Sequence, residues 1–400
     1  MRVLLAPDSF GTSLTAVQAA EALAAGWHRG APHDDVDLCP LADGGPGFVA
    51  TLQGALGGTV DAVTVTAPLG DRAPAAVLRV GATAYVESAH ALGLDLVPPA
   101  RRDPTRTTSA GVGELVAAAL AGGARRVVVG LGGSATNDAG AGLLAMLADA
   151  LLGPDAVAAA GGVLRAGGGG LGAVRPDDLR WLPALRDALR GVDLVAAVDV
   201  DVPLLGLQGA SAGFAPQKGA TPEQAQDLER ALGAFAHAAA GALGTGDVRP
   251  GLLGDAGAGQ ARAHRWTGLP GAGAAGGTGF AVALLGGRLL PGASLVADAV
   301  DLPARIAAHD VVVTGEGRTD WQSLHGKVVA EVAARALPLA VPTVVVAGEV
   351  LVGRRELSAA GVAAAYAVAD GPEQVAAALA DPAGTLAART ARVARTWSPA

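Results

Sequence analysis

Four hundred residues are enough chain for two to three domains at about 150 each, which excludes a small scaffold stapled by disulfides or metal. Glycine (59) and proline (24) together stay near a fifth of the chain, below the roughly 25% at which low-complexity disorder becomes the default reading. A net charge of -8, from 29 Lys and Arg against 37 Asp and Glu, argues against a nucleic-acid partner, and an anionic small substrate then needs a local basic site.

The first apolar run, Val3 to Ala6, stops at Pro7 and Asp8; it is too short for a signal-peptide core and reads as a first strand. A helix is predicted from Ser13 to Trp27. Cys39, the one cysteine, cannot form an internal disulfide and reads as a buried apolar residue in a reducing compartment. Strands are predicted at Asp61 to Thr66, Ala84 to Ser88 and Arg126 to Gly130, and helices at Ser109 to Gly122 and Thr136 to Leu152. The glycine-rich stretches 151–178 and 244–270 read as surface excursions. Further strands follow at Leu194 to Val198, Asp310 to Thr314, Thr343 to Ala347 and Ala363 to Val368. Helices are predicted at Pro222 to Leu243, Ala274 to Leu289, Lys327 to Ala336 and Pro372 to Ala380. Ser13, Ser109, Asn137 and Thr221 are the expected N-caps. In the tail from Gly384, the spacing of Arg389, Arg392 and Arg395 fits a solvated helix. No uncharged apolar run reaches membrane-spanning length, so a cytoplasmic protein without a membrane partner is expected. The alternation of apolar runs with alanine-rich helices implies an α/β fold with largely parallel sheets.

In such sheets ligands sit beyond the carboxyl ends of strands, and here those turns are polar. Asp8-Ser9-Phe10 follows the first strand, and Asp43-Gly44-Gly45 forms a second acidic turn. Gly132-Gly133-Ser134 leads through Asn137 and Asp138 into a predicted helix, whose start is expected to leave the Gly133, Ser134 and Ala135 N–H groups free for an anion. Asp199 follows a strand, as does the stretch holding Glu316, Asp320 and Gln322. Among the basic residues only Lys218 and Lys327 are lysines, both beside glycine, where a ligand can approach the backbone. Carboxylates, glycine-flanked N–H groups and lysines are what phosphoryl transfer requires. Gly326-Lys327 precedes Val328, so this is not a P-loop; Gly271 to Gly276 matches G-x-G-x-x-G but follows no strand, which argues against a dinucleotide site.

Seven strings then resemble the type 1 glycerate kinases, in that family's order and over nearly the whole chain. They are Ala6 to Phe10, Pro40 to Gly45, Thr107 to Leu115, Gly132 to Asp138, Pro216 to Ala220, Gly271 to Gly277 and Thr314 to Gly317. The resemblance implies two α/β domains around an interdomain cleft, one of them discontinuous (1–75 plus 290–400, with 76–289 inserted). It also implies a cytoplasmic kinase using ATP and Mg2+ on the 2-hydroxyl of D-glycerate, with oligomeric state left open. Asp8, Asp43, Asp199 and Lys327 are the expected catalytic residues, with Asp199 the candidate for metal. Ser9, Gly132, Gly133, Ser134, Asn137, Asp138, Lys218, Glu316, Asp320 and Gln322 are expected to bind substrate or phosphate.

The chain departs from the family pattern at four places: Gly11 stands for lysine, Pro46 for glutamate, Val202 for asparagine and Val329 for proline. Three of these remove polar groups from the turns. A glycerate kinase therefore stands beside two other readings: a catalytically impaired homologue that binds a metabolite or partner, and a kinase with a different acceptor.

Overall fold

The structure, a computed structural model, describes all residues except 159, 245–262, 325 and 399–400. Its strands are β1 (Arg2–Leu5), β2 (Asp35–Leu38), β3 (Thr59–Thr66), β4 (Arg72–Val80), β5 (Thr83–Glu87), β6 (Arg126–Leu131) and β7 (Asp193–Val198), then β8 (Arg288–Pro291), β9 (Val311–Thr314), β10 (Arg318–Thr319), β11 (Thr343–Ala347), β12 (Glu349–Val350) and β13 (Val362–Ala367). Among the described residues no helix is long and apolar enough to cross a membrane. Contacts divide the chain into two units, Met1–Asp43 with Ala50–Gly57 and Pro291–Ala400, and Gly44–Val49 with Gly58–Leu290. Strands β3 and β4, which a boundary near residue 75 would separate, pair with each other in the second unit.

The first unit is built on a five-stranded parallel sheet of order β13-β11-β9-β1-β2. Its inner strands are apolar on both faces because helices cover both faces. Val3, Leu5, Val311 and Val313 pack with Leu23, Trp27, Leu386 and Val393 on one side. Val345 and Ala347 meet Val329, Ala333 and Leu357 on the other. From β1 the chain moves one way to β2 and the opposite way to β9, β11 and β13, so the topological switch lies between β1 and β9. Beyond the carboxyl ends, β10 and β12 form a short parallel ribbon.

Helix Ala16–Gly30 begins two residues later than its expected cap, at Thr15, which makes a capping box with Gln18. It crosses helix Pro382–Trp397 at Gly26 and Gly30, where a Cβ would strike the carbonyl oxygens of Ala387 and Ala391. Asp34 ties the ends of the chain together, accepting from the Met1 amine, Trp27 Nε1 and Ser398 Oγ, each at 2.9 Å. The arginine tail is thus solvated on one face only: Arg392 and Arg395 are exposed and Arg389 lies 5.6 Å over the Tyr366 ring, while Leu386, Val393 and Ala394 are buried.

The second unit has a six-stranded sheet of order β3-β4-β5-β6-β7-β8, antiparallel from β3 to β5 and parallel from β5 to β7. Strand β4 escapes a sequence reading because Pro74 interrupts it; the proline is tolerated where β4 pairs with β3 alone. The stretch 151–178 is not a surface excursion. Leu164, Leu171 and Val174 are buried, and Gly168–Ala173 packs under helix Pro222–Ala242, with Gly168 against Asn137 O. Most of 244–270 lies outside the described residues.

Candidate active site

In the first unit the chemistry gathers at the switch between β1 and β9. Asp8 follows β1 and Glu316 follows β9. Thr314 Oγ1 donates to Ala6 O at 2.8 Å and Asp8 N to Gly315 O at 2.8 Å, which locks the two turns side by side. Leu41 N bonds Pro7 O at 2.9 Å and brings in the turn that carries Asp43. The Asp8 carboxyl is held well above the usual carboxylate range, first by burial and then by the negative charge of Asp43; Ser9 N, donating to Oδ1 at 2.6 Å, pulls the other way, as does Lys327 more weakly. Burial also raises Glu316, against the nearby hydroxyls of its own loop and the charge of Lys327. Asp8, Asp43, Glu316 and Lys327 therefore form one electrostatic group. Lys327 occupies the N-cap of helix Val328–Ala336. Asp320 turns back on its own loop, accepting from Gln322 N at 2.9 Å, and Gln322 is exposed.

The second unit holds a cavity of about 240 Å³ at the carboxyl ends of β6 and β7, with Gly132, Gly133, Ser134, Asp199 and Lys218 in its walls. Glycine permits the crowding here: a Cβ on Gly132 would lie 2.6 Å from Gly45 Cα, and one on Gly44 would lie 2.6 Å from Ala197 O. Lys218, on the turn Pro216–Lys218, is buried and donates from Nζ to Ser134 Oγ at 2.9 Å and to Thr136 O at 2.6 Å. Burial lowers its pKa to about 7, with Asp138 opposing. The stretch Gly273 to Gly276 completes the wall. Within it, Ala275 and Gly276 adopt left-handed backbone angles and Gly276 abuts Thr136 O.

Two expectations about this turn are corrected. The helix begins at Ala141, after a left-handed Gly140, and the Ala135 N–H is bonded to Leu92 O at 2.7 Å, so the turn offers no open helix start. Asn137 is not the cap of that helix, and both it and Asp138 are fully buried. Asn137 Nδ2 donates to Ser211 Oγ at 3.0 Å, and Asp138 accepts from Ser109 N and Oγ, both at 2.8 Å, and from Gly140 N at 3.0 Å. Ser109 serves that network in place of the capping bond expected of it. Of the string's polar side chains, Ser134 lines the cavity. The sequence reading missed Phe214 and the stretch Ala274 to Gly276 as cavity walls. Phe214 carries no local signal, whereas the glycine string at 271–277 was visible and its role was not.

The departures have physical settings. Gly11 sits at φ +57° with open space around its missing side chain. Pro46 is exposed, and a Cβ on Gly133 would meet its ring at 2.8 Å. Val202 packs against Gly273, whose N–H donates to Val202 O at 2.8 Å. Val329 is buried in the core.

The glycerate kinase family model matches residues 3–398. The chain belongs to this family. It is 38% identical over 374 residues to a glycerate kinase of Bacillus subtilis, covering 93% of this chain and 91% of that one. A glycerate 2-kinase of Escherichia coli is 39% identical over 352 residues, covering 87% and 85%. A crystal structure assigned to glycerate kinase 2 of Salmonella typhimurium LT2 aligns with a TM-score of 0.74 at 37% identity, covering 99% of this chain and 98% of its own. The α/β fold with mostly parallel sheets is thus the fold of a glycerate kinase family member, a phosphotransferase with a hydroxyl acceptor. No finding favours an impaired homologue or a different acceptor.

Proposed function

We propose that this member of the glycerate kinase family transfers the terminal phosphoryl group of ATP to the 2-hydroxyl of D-glycerate, giving 2-phosphoglycerate and ADP. The observation that carries the reading is the buried Lys218 bonded to Ser134 in a small cavity shared with Asp199. An ammonium beside a hydroxyl suits the carboxylate of a small acid, and Asp199 is the cavity's acceptor for the hydroxyl proton. In the transfer, the hydroxyl oxygen bonds to phosphorus as its proton passes to Asp199. The bond to the bridging oxygen breaks, and ADP leaves with that electron pair.

The first unit's group suits the phosphates. Lys327 supplies a cation there. Asp8 and Asp43, which repel each other when both are ionised, make an all-oxygen donor set that a hard cation would relieve. This favours them over Asp199 as Mg2+ ligands, because Mg2+ is commonly held by one or two carboxylates with phosphates completing its shell. The bound ion would neutralise charge on the phosphates.

The test is ADP release with D-glycerate and ATP, with the product read by phosphorus NMR. Turnover to 2-phosphoglycerate is expected, and Asp199→Asn should lower kcat by at least ~100-fold. No turnover, or phosphorylation at the 3-position, overturns the reading.

A further inference from the structure

A second hollow, of about 430 Å³, lies in the first unit at the carboxyl ends of β11 and β13. We propose that it takes the adenosine part of ATP, with the triphosphate running across the end of β9 to Asp8 and Lys327; this rests on ATP being the phosphoryl donor.

The walls match a nucleoside. Val350, Leu351, Ala367, Pro372 and Val375 supply apolar surface for a base, and Glu349 and Asp370 supply carboxylates that accept from ribose hydroxyls. Part of this lining is left open by the packing: helix Pro372–Ala380 has no fully buried residue, and Leu351 remains 62% exposed. Backbone bonds from Val368 N to Ala347 O (2.8 Å) and from Ala369 N to Gly348 O (2.9 Å) hold the two strand ends together beneath the hollow.

The path to the phosphate centre is equally built. Neighbouring strands lie about 4.8 Å apart, so β11 and β1, separated by β9, are about 10 Å apart, a span that a triphosphate covers. Between them runs Thr314-Gly315-Glu316-Gly317. A Cβ on Gly315 would strike Val346 O, and one on Gly317 would lie 3.2 Å from Gly11 N, so the glycines let this stretch lie directly against the ends of β11 and the turn after β1. The orientation follows from charge. The hollow's walls hold two carboxylates and no cation, whereas the other end sets Lys327 among its carboxylates.

The experiment measures ADP affinity by titration calorimetry, and steady-state KM for ATP and for D-glycerate, on the full-length wild type, Val375→Trp and Leu351→Ala. Filling the hollow with tryptophan should raise the ADP Kd and the ATP KM at least ~10-fold, and trimming Leu351 should raise them about 3- to 5-fold, with the KM for D-glycerate changed less than 2-fold. If Val375→Trp does not fold, Leu351→Ala carries the test, because its side chain is outside the core. Wild-type ADP affinity in a folded Val375→Trp, or in Leu351→Ala alone, overturns the hollow as the nucleoside site and leaves the glycerate kinase reading standing. ADP binding that these variants weaken, without phosphoryl transfer to glycerate, upholds the site and sinks that reading. Absence of ADP binding in the wild type overturns both.

Discussion

Lys218 is held in a place that disfavours its charge and needs it. Its folded pKa is about 7, against 10.5 for a free lysine. Between those values the unfolded chain binds a proton that the folded chain does not, so stability rises as pH rises from 7 towards 10. Lys218→Met removes this dependence. The melting temperature of the wild type relative to Lys218→Met should therefore climb across that range, and a constant offset would show that Lys218 is not the titrating group. Function has the opposite slope: an ammonium holds the acid, so kcat/KM for glycerate should fall above about pH 7 as Lys218 loses its proton. Lys218→Arg keeps its charge and should flatten that limb even though its geometry lowers the overall rate. Asp8 makes a parallel case in the first unit. Burial and Asp43 raise its pKa, so the ionised pair is destabilising near neutral pH. In metal-free buffer Asp8→Asn should raise the melting temperature at pH 7 to 8 while lowering kcat by ~100-fold or more. A variant that loses stability there would contradict the repulsion.

Helices show where local rules hold and where neighbours overrule them. Thr221 caps its helix with Gln224 as its sequence suggests, and Thr15 with Gln18 carries the same signature, which the more obvious Ser13 masked. The helix expected from Thr136 starts five residues late because Asn137 and Asp138 are drawn inward to Ser211 and Ser109. Gly26 is a sharper case. Alanine is worth about 1 kcal/mol more than glycine inside a helix, yet a Cβ there would strike Ala387 O and lie 2.7 Å from Thr390 Cβ. Gly26→Ala should destabilise the first unit by about 1–3 kcal/mol in urea unfolding, because overpacking outweighs propensity. A stabilised variant would mean that the helix pair separates freely.

At the scale of the molecule, the first unit is assembled from both ends of the chain. Helix Pro382–Trp397 covers one face of its sheet through Leu386 and Val393, and Asp34 links Met1 to Ser398. Deleting 382–400 uncovers Leu23 and Trp27, so β1 and β9 should lose hydrogen-exchange protection while β5 to β7, with their own core, keep theirs. Full protection of β1 in the truncated chain would show that the terminal helix is dispensable.

Much of this was legible in the sequence. Central strands such as Val127 to Val129 and Val311 to Val313 are short apolar runs because helices cover both faces of their sheets, and such runs are visible without a fold. The polar turns after them marked Asp8, Asp199, Ser134 and Glu316, the scarcity of lysine marked Lys218, and the ordered strings marked the family. Strands β2, β4, β8, β10 and β12 were not legible: β2 and β4 carry exposed or proline-broken faces, β8 begins inside the stretch expected to continue the helix from Ala274, which ends at Leu284, and β10 and β12 are two residues each. Nor was the sorting of polar residues into those that face a cavity and those, such as Asn137 and Asp138, that hold the fold. Local pattern records which face of a strand is apolar but not which distant strand lies beside it. Only the pairing of β1 with β9, joined by Thr314 and Ala6 across 308 residues, set Asp8 beside Glu316.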